Sequence, residues 1–367
     1  MQGLNNPIGI KSIEPNQNPF ITNPYRFGGG GIGGWTELAR TTLGSAGTNL
    51  DVTGFADKRY YMVLADHRNA SNVYPFCRLG NATFDTGTSY GRRYSIDGGA
   101  DSSATWTNMV LEGGSGALVG EGFNVSYFAN KSDEEKLMIS HEVIQNTAGS
   151  GTAPRRGETV GKWHNASNPM DRIRHYDANG SSMNTGAEMV VLGWDPADTH
   201  TTNFWEELAS VDMSGGTGST LTTGTFTAKK YLWIQVYVET EGGGAAMTGL
   251  EFNGDTANNY GMRTKTNGGS ENISDVSIPD IYQFNNTTGK PIFANYFVIN
   301  NSANEKLLIG QSVRQNTAGS ANAPGRMESV AKWANTSAQI TRIDLNIRSG
   351  YSGVLQTPTI MRVWGSN

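Results

Sequence analysis

At 367 residues the chain has room for about two or three domains, each with a core of its own. Only 17% of its residues are charged and the formal net charge is -5, so it lacks the basic surface that nucleic acid demands. No apolar stretch approaches the roughly 18 residues of a membrane-spanning helix, which argues against insertion by helices.

Residues 1–34 come first, with Pro7, Pro15, Pro19 and Pro24, then Gly28 to Gly31 and Gly33-Gly34. Proline fixes local extension and glycine frees the chain, so an extended assembly arm ending in a hinge is expected. Such a terminus is ordered only where something ties it down, for instance a neighbouring subunit. The start also lacks the basic and apolar regions of a secretory signal, which points to synthesis in the cytoplasm. The run from Gly28 to Gly33 formally fits a dinucleotide fingerprint, but that motif needs a preceding strand and a following helix.

Short apolar, aromatic and β-branched runs bounded by turn formers follow, at residues 60–66, 74–79, 90–95, 123–128, 136–144, 158–163, 170–176 and 187–192. Residues 195–202, carrying Pro196, read as a linker. A second series occupies 231–237, 292–299, 306–314, 328–333, 340–347 and 359–364. The acidic tract at 132–136 resembles a helix start, but a hairpin loop between two close strands suits it better. The 47 glycines and the Asn, Ser and Thr between the runs fit many strands joined by tight turns.

The two series are copies. EKLMISHEVIQNTAGSGTAPRRGETVGKWHNAS, from Glu135 to Ser167, returns without a gap as EKLLIGQSVRQNTAGSANAPGRMESVAKWANTS, from Glu305 to Ser337, with roughly half of its positions identical. Weaker echoes keep the order: Trp35 and Trp205, Lys58-Arg59-Tyr60 and Lys229-Lys230-Tyr231, Tyr127-Phe128 and Tyr296-Phe297. A period near 170 residues is too long for a solenoid. The expected fold is therefore all-β: two tandem antiparallel β-sandwich domains, jelly-roll-like with about eight strands each, at residues 35–194 and 203–367, preceded by the arm.

Few residues invite chemistry. All five histidines, His67, His141, His164, His175 and His200, lie in the first copy or the linker, and they are expected at the surface. Asp85 and Asp255 occupy matching turns that could offer oxygens to calcium, although an Asx turn accounts for them more simply. Trp163 and Trp333 end matching strands, as core residues or as glycan-stacking platforms. The shared Arg156/Arg326, Glu158/Glu328, Lys162/Lys332 and Arg172/Arg342 suit cross-strand ion pairs. Cys77, the single cysteine, is expected to be a buried thiol. Asn-x-Ser/Thr triplets at Asn69, Asn81, Asn165, Asn272 and Asn335 follow from the composition. No catalytic residue, cofactor or strong metal site emerges.

The motifs QNTAGSGTAPRRGETVGKW and QNTAGSANAPGRMESVAKW, the turn FNGDTANNYG and the closing Val363-Trp364-Gly365 resemble repeats in virion structural proteins of tailed, especially marine, phages. The resemblance covers both copies but not the arm. It implies a non-enzymatic β-sandwich component of a particle, in a tail, fibre or head decoration, released by lysis. Its partners would be further copies of itself, as a trimer or larger assembly, and other virion proteins, with a host surface glycan as a further candidate. A double jelly-roll major capsid protein, a carbohydrate-binding adhesin module and a glycan-cleaving enzyme are the alternative readings.

Overall fold

The computed structural model describes residues 34–69, 73–111, 120–177, 179–199, 202–241, 246–272, 275–286 and 290–367. The arm, with Pro7, Pro15, Pro19, Pro24, Gly28 and Gly33, lies outside them, and so does His200. The described residues form antiparallel strands and connecting turns with no helix. The protein is all-β, with two tandem β-sandwiches.

In the first repeat a large sheet of eight strands runs Thr36–Thr42, Glu188–Trp194, Tyr60–Asn69, Gly120–Ala129, Lys136–Ile144, Arg155–Trp163, Tyr90–Ile96, Ser102–Trp106. The second repeat has the same order: Glu206–Asp212, Ile360–Ser366, Tyr231–Val238, Ile292–Ile299, Lys306–Arg314, Gly325–Trp333, Tyr260–Thr266, Glu271–Asn272. First and last strands are neighbours in both, the non-sequential pairing of a jelly-roll-like sandwich. A smaller sheet covers one face of each. Arg172–Asp177 lies between Asn49–Thr53 and Pro75–Asn81 in the first, and Ile343–Ile347 between Thr220–Thr222 and Ala246–Phe252 in the second.

Alternation along the strands builds these layers. Tyr61, Val63 and Ala65 face the small sheet and pack with Leu50, Cys77 and Ile173, so Cys77 is buried as expected. Leu232, Ile234, Val236, Leu250 and Leu345 form the matching core of the second repeat. A device at the sheet edge recurs too. A bulge after Glu37 and another after Glu207 insert Leu38 and Leu208, which lie against Gly193 and Gly365. A Cβ there would stand 2.5 and 2.7 Å from the leucine methyls.

Part of the other face of each large sheet is also withdrawn from water. Met62, Leu64, Phe123, Val125, Val143, Val190 and Leu192 of the first repeat pack on Trp205, Phe297, Leu307, Ile309, Val330 and Trp364 of the second. This third core joins the repeats into one stack. Its signal is the unbroken apolar run, as in Tyr61 to Ala65, of a strand buried on both faces.

Register and burial correct two expectations and extend a third. Leu137 pairs with Ala129 and Leu307 with Ile299, so Tyr127 corresponds to Phe297, not Tyr296; a one-residue slip would put the match on opposite faces. Arg156–Glu158 (3.6 Å) and Arg326–Glu328 (3.3 Å) pair along one strand, because positions two apart share a face. Arg156 also reaches Glu271 (3.5 Å) and Glu328 (3.9 Å) of the second repeat, and Lys162 and Lys332 pair with Glu135 and Glu305 beside the neighbouring strand. His67 and His175 are fully buried, not at the surface. His67 continues the inward series of Tyr61, Val63 and Ala65, and His175 that of Ile173.

Candidate assembly surfaces

Each shared motif can now be placed. The Asp85 carboxylate accepts hydrogen bonds from the Trp163 indole N–H (2.8 Å) and the Gly87 backbone N–H (2.8 Å). In the second repeat Asp255 accepts from the Trp333 indole (2.7 Å) and the Ala257 N–H (3.0 Å). Both are Asx turns, and their oxygens face N–H donors, which corrects the calcium reading. Burial alone would raise the Asp85 carboxyl, but the bonds from Trp163, Gly87 and Ser89 outweigh it and hold it below the usual carboxylate range. Trp163 and Trp333 are each 1% exposed. Their rings lie in the core with no free face for a sugar, which corrects the glycan-stacking reading.

The Glu-Lys and Asn-x-Ser ends of the long motif serve one fastening. Lys136 is buried, and its ammonium donates to the carbonyls of Glu134 (2.9 Å) and Asn165 (2.7 Å). Lys306 repeats this on Asn304 (2.8 Å) and Asn335 (2.8 Å). Burial pushes the Lys306 ammonium down to about 8. Asn165 and Asn335, in the glycosylation-like triplets, use their side-chain oxygens to accept from Ser167 and Ser337 N–H groups (3.0 and 2.9 Å).

Glu142, His67 and His175 form a buried chain: Glu142 Oε1 to His67 Nδ1 at 2.8 Å, then His67 Nε2 to His175 Nδ1 at 3.0 Å. Burial and the neighbouring His67 ring lower His175 well below its ordinary value. All three side chains are 0% exposed, so the chain has no mouth for a substrate.

The repeats, alike in fold, differ in what they expose. Leu307, Ile309 and Val330 are 0, 6 and 1% exposed in the shared core, whereas their counterparts Leu137, Ile139 and Val160 are 55, 53 and 49% exposed. The reverse holds elsewhere: Phe123 and Val143 are 1 and 0% exposed, and their counterparts Phe293 and Val313 are 44 and 41%. The first repeat thus contributes its Phe123/Val143 face to the contact, the second its Leu307/Ile309/Val330 face. The two equivalent faces remain open, a groove of about 630 Å³ beside Tyr60, Leu137 and Val160 and one of about 290 Å³ beside Phe293 and Val313.

The QNTAGS loops show the same asymmetry. In the first repeat Lys332 of the second donates to the carbonyls of Gln145 (3.3 Å) and Thr147, and Gly149 N–H donates to Glu305. Ser150 Oγ adds a bond to the Asn258 carbonyl (2.9 Å) and the Ser150 carbonyl accepts from Ser277 N–H (3.0 Å). In the second repeat Asn316 and Asn322 close the loop on itself (2.8 and 3.1 Å), and residues 317–320 are exposed. The counterparts of Lys332 and Glu305 are Lys162 and Glu135, paired with each other at 2.8 Å beside the open groove. No feature of the sequence distinguishes a buried Leu307 from an exposed Leu137, so this surface was not foreseen.

A polar cluster borders the shared core. Lys230 Nζ meets Asp66 (3.0 Å) and Glu188 (3.1 Å), and Tyr231 donates to Glu188 (2.8 Å). Glu121 accepts from Asn304 (2.6 Å), and burial with the nearby Asp66 charge raises its carboxyl to about 7.

No family model and no curated protein matches the chain. Among solved structures it is similar to the LG1-3 region of the laminin alpha2 chain, at 9% identity and a TM-score of 0.21 over 90% of this chain and 63% of that one. It is similar also to domains LG4-5 of the mouse laminin alpha1 chain, at 11% identity and a TM-score of 0.19 over 89% of each. The chain thus spans 63% of the first of these. At such scores the likeness carries no argument about ligand or partner.

Proposed function

We propose that this chain is a non-enzymatic structural protein of a virion, a surface component of a tail, fibre or head decoration that self-assembles through its sandwich domains and its arm. One observation carries the assembly reading: the open face at Leu137, Ile139 and Val160 is chemically the face that the second repeat buries against the first. Apolar surface grouped in this way marks an interaction site. The virion assignment rests on the resemblance of the sequence motifs to repeats in phage structural proteins. Support for a non-enzymatic role comes from the acid-base residues: Glu142, His67 and His175 are sealed in the sandwich, and Asp85 and Asp255 are engaged by tryptophan.

Negative-stain microscopy of the purified full chain tests the reading. Ordered oligomers, as elongated trimers or decorated particles, are the expected result. Dispersed single molecules that bind a glycan array would contradict it and favour an adhesin module.

A further inference from the structure

The intrachain contact is offset: Phe123 and Val143 of the first repeat and Leu307, Ile309 and Val330 of the second are covered while their counterparts stay exposed, although the equivalent Tyr127 and Phe297, and His141 and Gln311, also meet across it. We propose that a second copy of this chain covers these exposed patches, the Phe293/Val313 patch of one chain docking on the Leu137/Ile139/Val160 patch of the next, so that chains join head to tail. The proposal rests on the assembly reading above and names the partner and the surface.

Both halves of the missing contact are present. On the first repeat the receiving face keeps Leu137, Ile139 and Val160, exposed, with Lys162 and Glu135 where the buried pair Lys332 and Glu305 clasps a QNTAGS loop. On the second repeat the entering face keeps Phe293 and Val313, exposed, next to a QNTAGS loop whose residues 317–320 are exposed. A heterologous contact of this kind repeats from chain to chain and yields a ring or a filament according to whether its rotation closes.

The repeated contact is expected to be weaker than the intrachain one. The ladders place Gln235, Asn295 and Arg362 of the second repeat where the first has Leu64, Val125 and Val190. Those polar groups reduce the apolar area removed from water, so chains should associate reversibly with concentration, whereas the repeats of one chain are held together by the linker as well.

Sedimentation of the full chain over a concentration series tests this with two variants at exposed positions, Leu137→Glu on the receiving face and Val313→Glu on the entering face. Each alone should weaken self-association about tenfold or more, yet an equimolar mixture should form a dimer and stop there, since one intact face of each kind remains. Val160→Glu and Phe293→Glu serve as a second pair where circular dichroism shows either first variant misfolded. Association that Leu137→Glu abolishes but Val313→Glu leaves intact would overturn head-to-tail joining in favour of a symmetric pair. Loss of association on removing residues 1–33, with both faces intact, would overturn it in favour of the arm. Either result leaves the assembly reading standing, whereas a full chain that stays monomeric throughout overturns both.

Discussion

Leu137 and Leu307 are the same residue at the same place in two copies of one fold, and alanine at each should have very different costs. Leu307 is 0% exposed between the two large sheets. Truncation there loses the transfer free energy of the side chain and leaves a cavity that two rigid sheets cannot close, about 2–5 kcal/mol. Leu137 is 55% exposed on the open face, and a surface truncation of that kind stays within about 0.5 kcal/mol. Urea unfolding at low protein concentration, where chains are separate, compares the midpoints at constant slope. Ile139 against Ile309 and Val160 against Val330 repeat the experiment with smaller residues. Equal costs at Leu137 and Leu307 would refute the asymmetric contact between the repeats.

Asp255→Ala should destabilise by about 1–3 kcal/mol, the cost of leaving the buried Trp333 indole N–H without its acceptor, and Asp85→Ala should do the same through Trp163; thermal unfolding reads both. Gly365→Ala brings a Cβ to 2.7 Å from the Leu208 methyl and 2.8 Å from Lys229 Cβ, and overpacking of that kind should cost about 1–3 kcal/mol in chemical denaturation. The folded value of His175 lies below its unfolded value, so its contribution is intact above about pH 6.5 and is lost as pH falls, when the unfolded chain takes up the proton first. His175→Gln should therefore flatten the acid limb of a stability profile by at most about 1.4 kcal/mol per pH unit, and an unchanged slope would count against the buried histidine pair. Removing residues 1–33 should leave both the melting temperature of the sandwiches and their concentration-dependent association in sedimentation unchanged, while the larger ordered particles seen under the microscope are lost.

Much of the fold was legible because strand periodicity and the repeat speak together. Lys136–Ile144, Ile292–Ile299 and Lys306–Arg314 have the bounds that their apolar runs predict, and the loop after Ala129 is a hairpin connection in both copies. Ser102–Trp106 and Asn49–Thr53 were missed, since SSATW is small, polar and mostly exposed, and the alternation of NLDVT runs over five residues only. The burial of His67 was readable in principle: it lies two residues beyond Ala65 on the face that already holds Tyr61 and Val63. The assembly surface was hardly readable. Exposure at Leu137 and burial at Leu307 depend on where the second sandwich sits on the first, and identical leucines carry no record of it. Only the polar replacements Gln235, Asn295 and Arg362 hint that one face of the second repeat meets water.

Self-association of the full chain tests the central claim most directly. Sedimentation velocity from nanomolar to high micromolar concentration should show species growing beyond the 39.5 kDa monomer, with the smallest species at the lowest concentrations. A single 39.5 kDa species across the range would contradict a structural, assembling role for this protein.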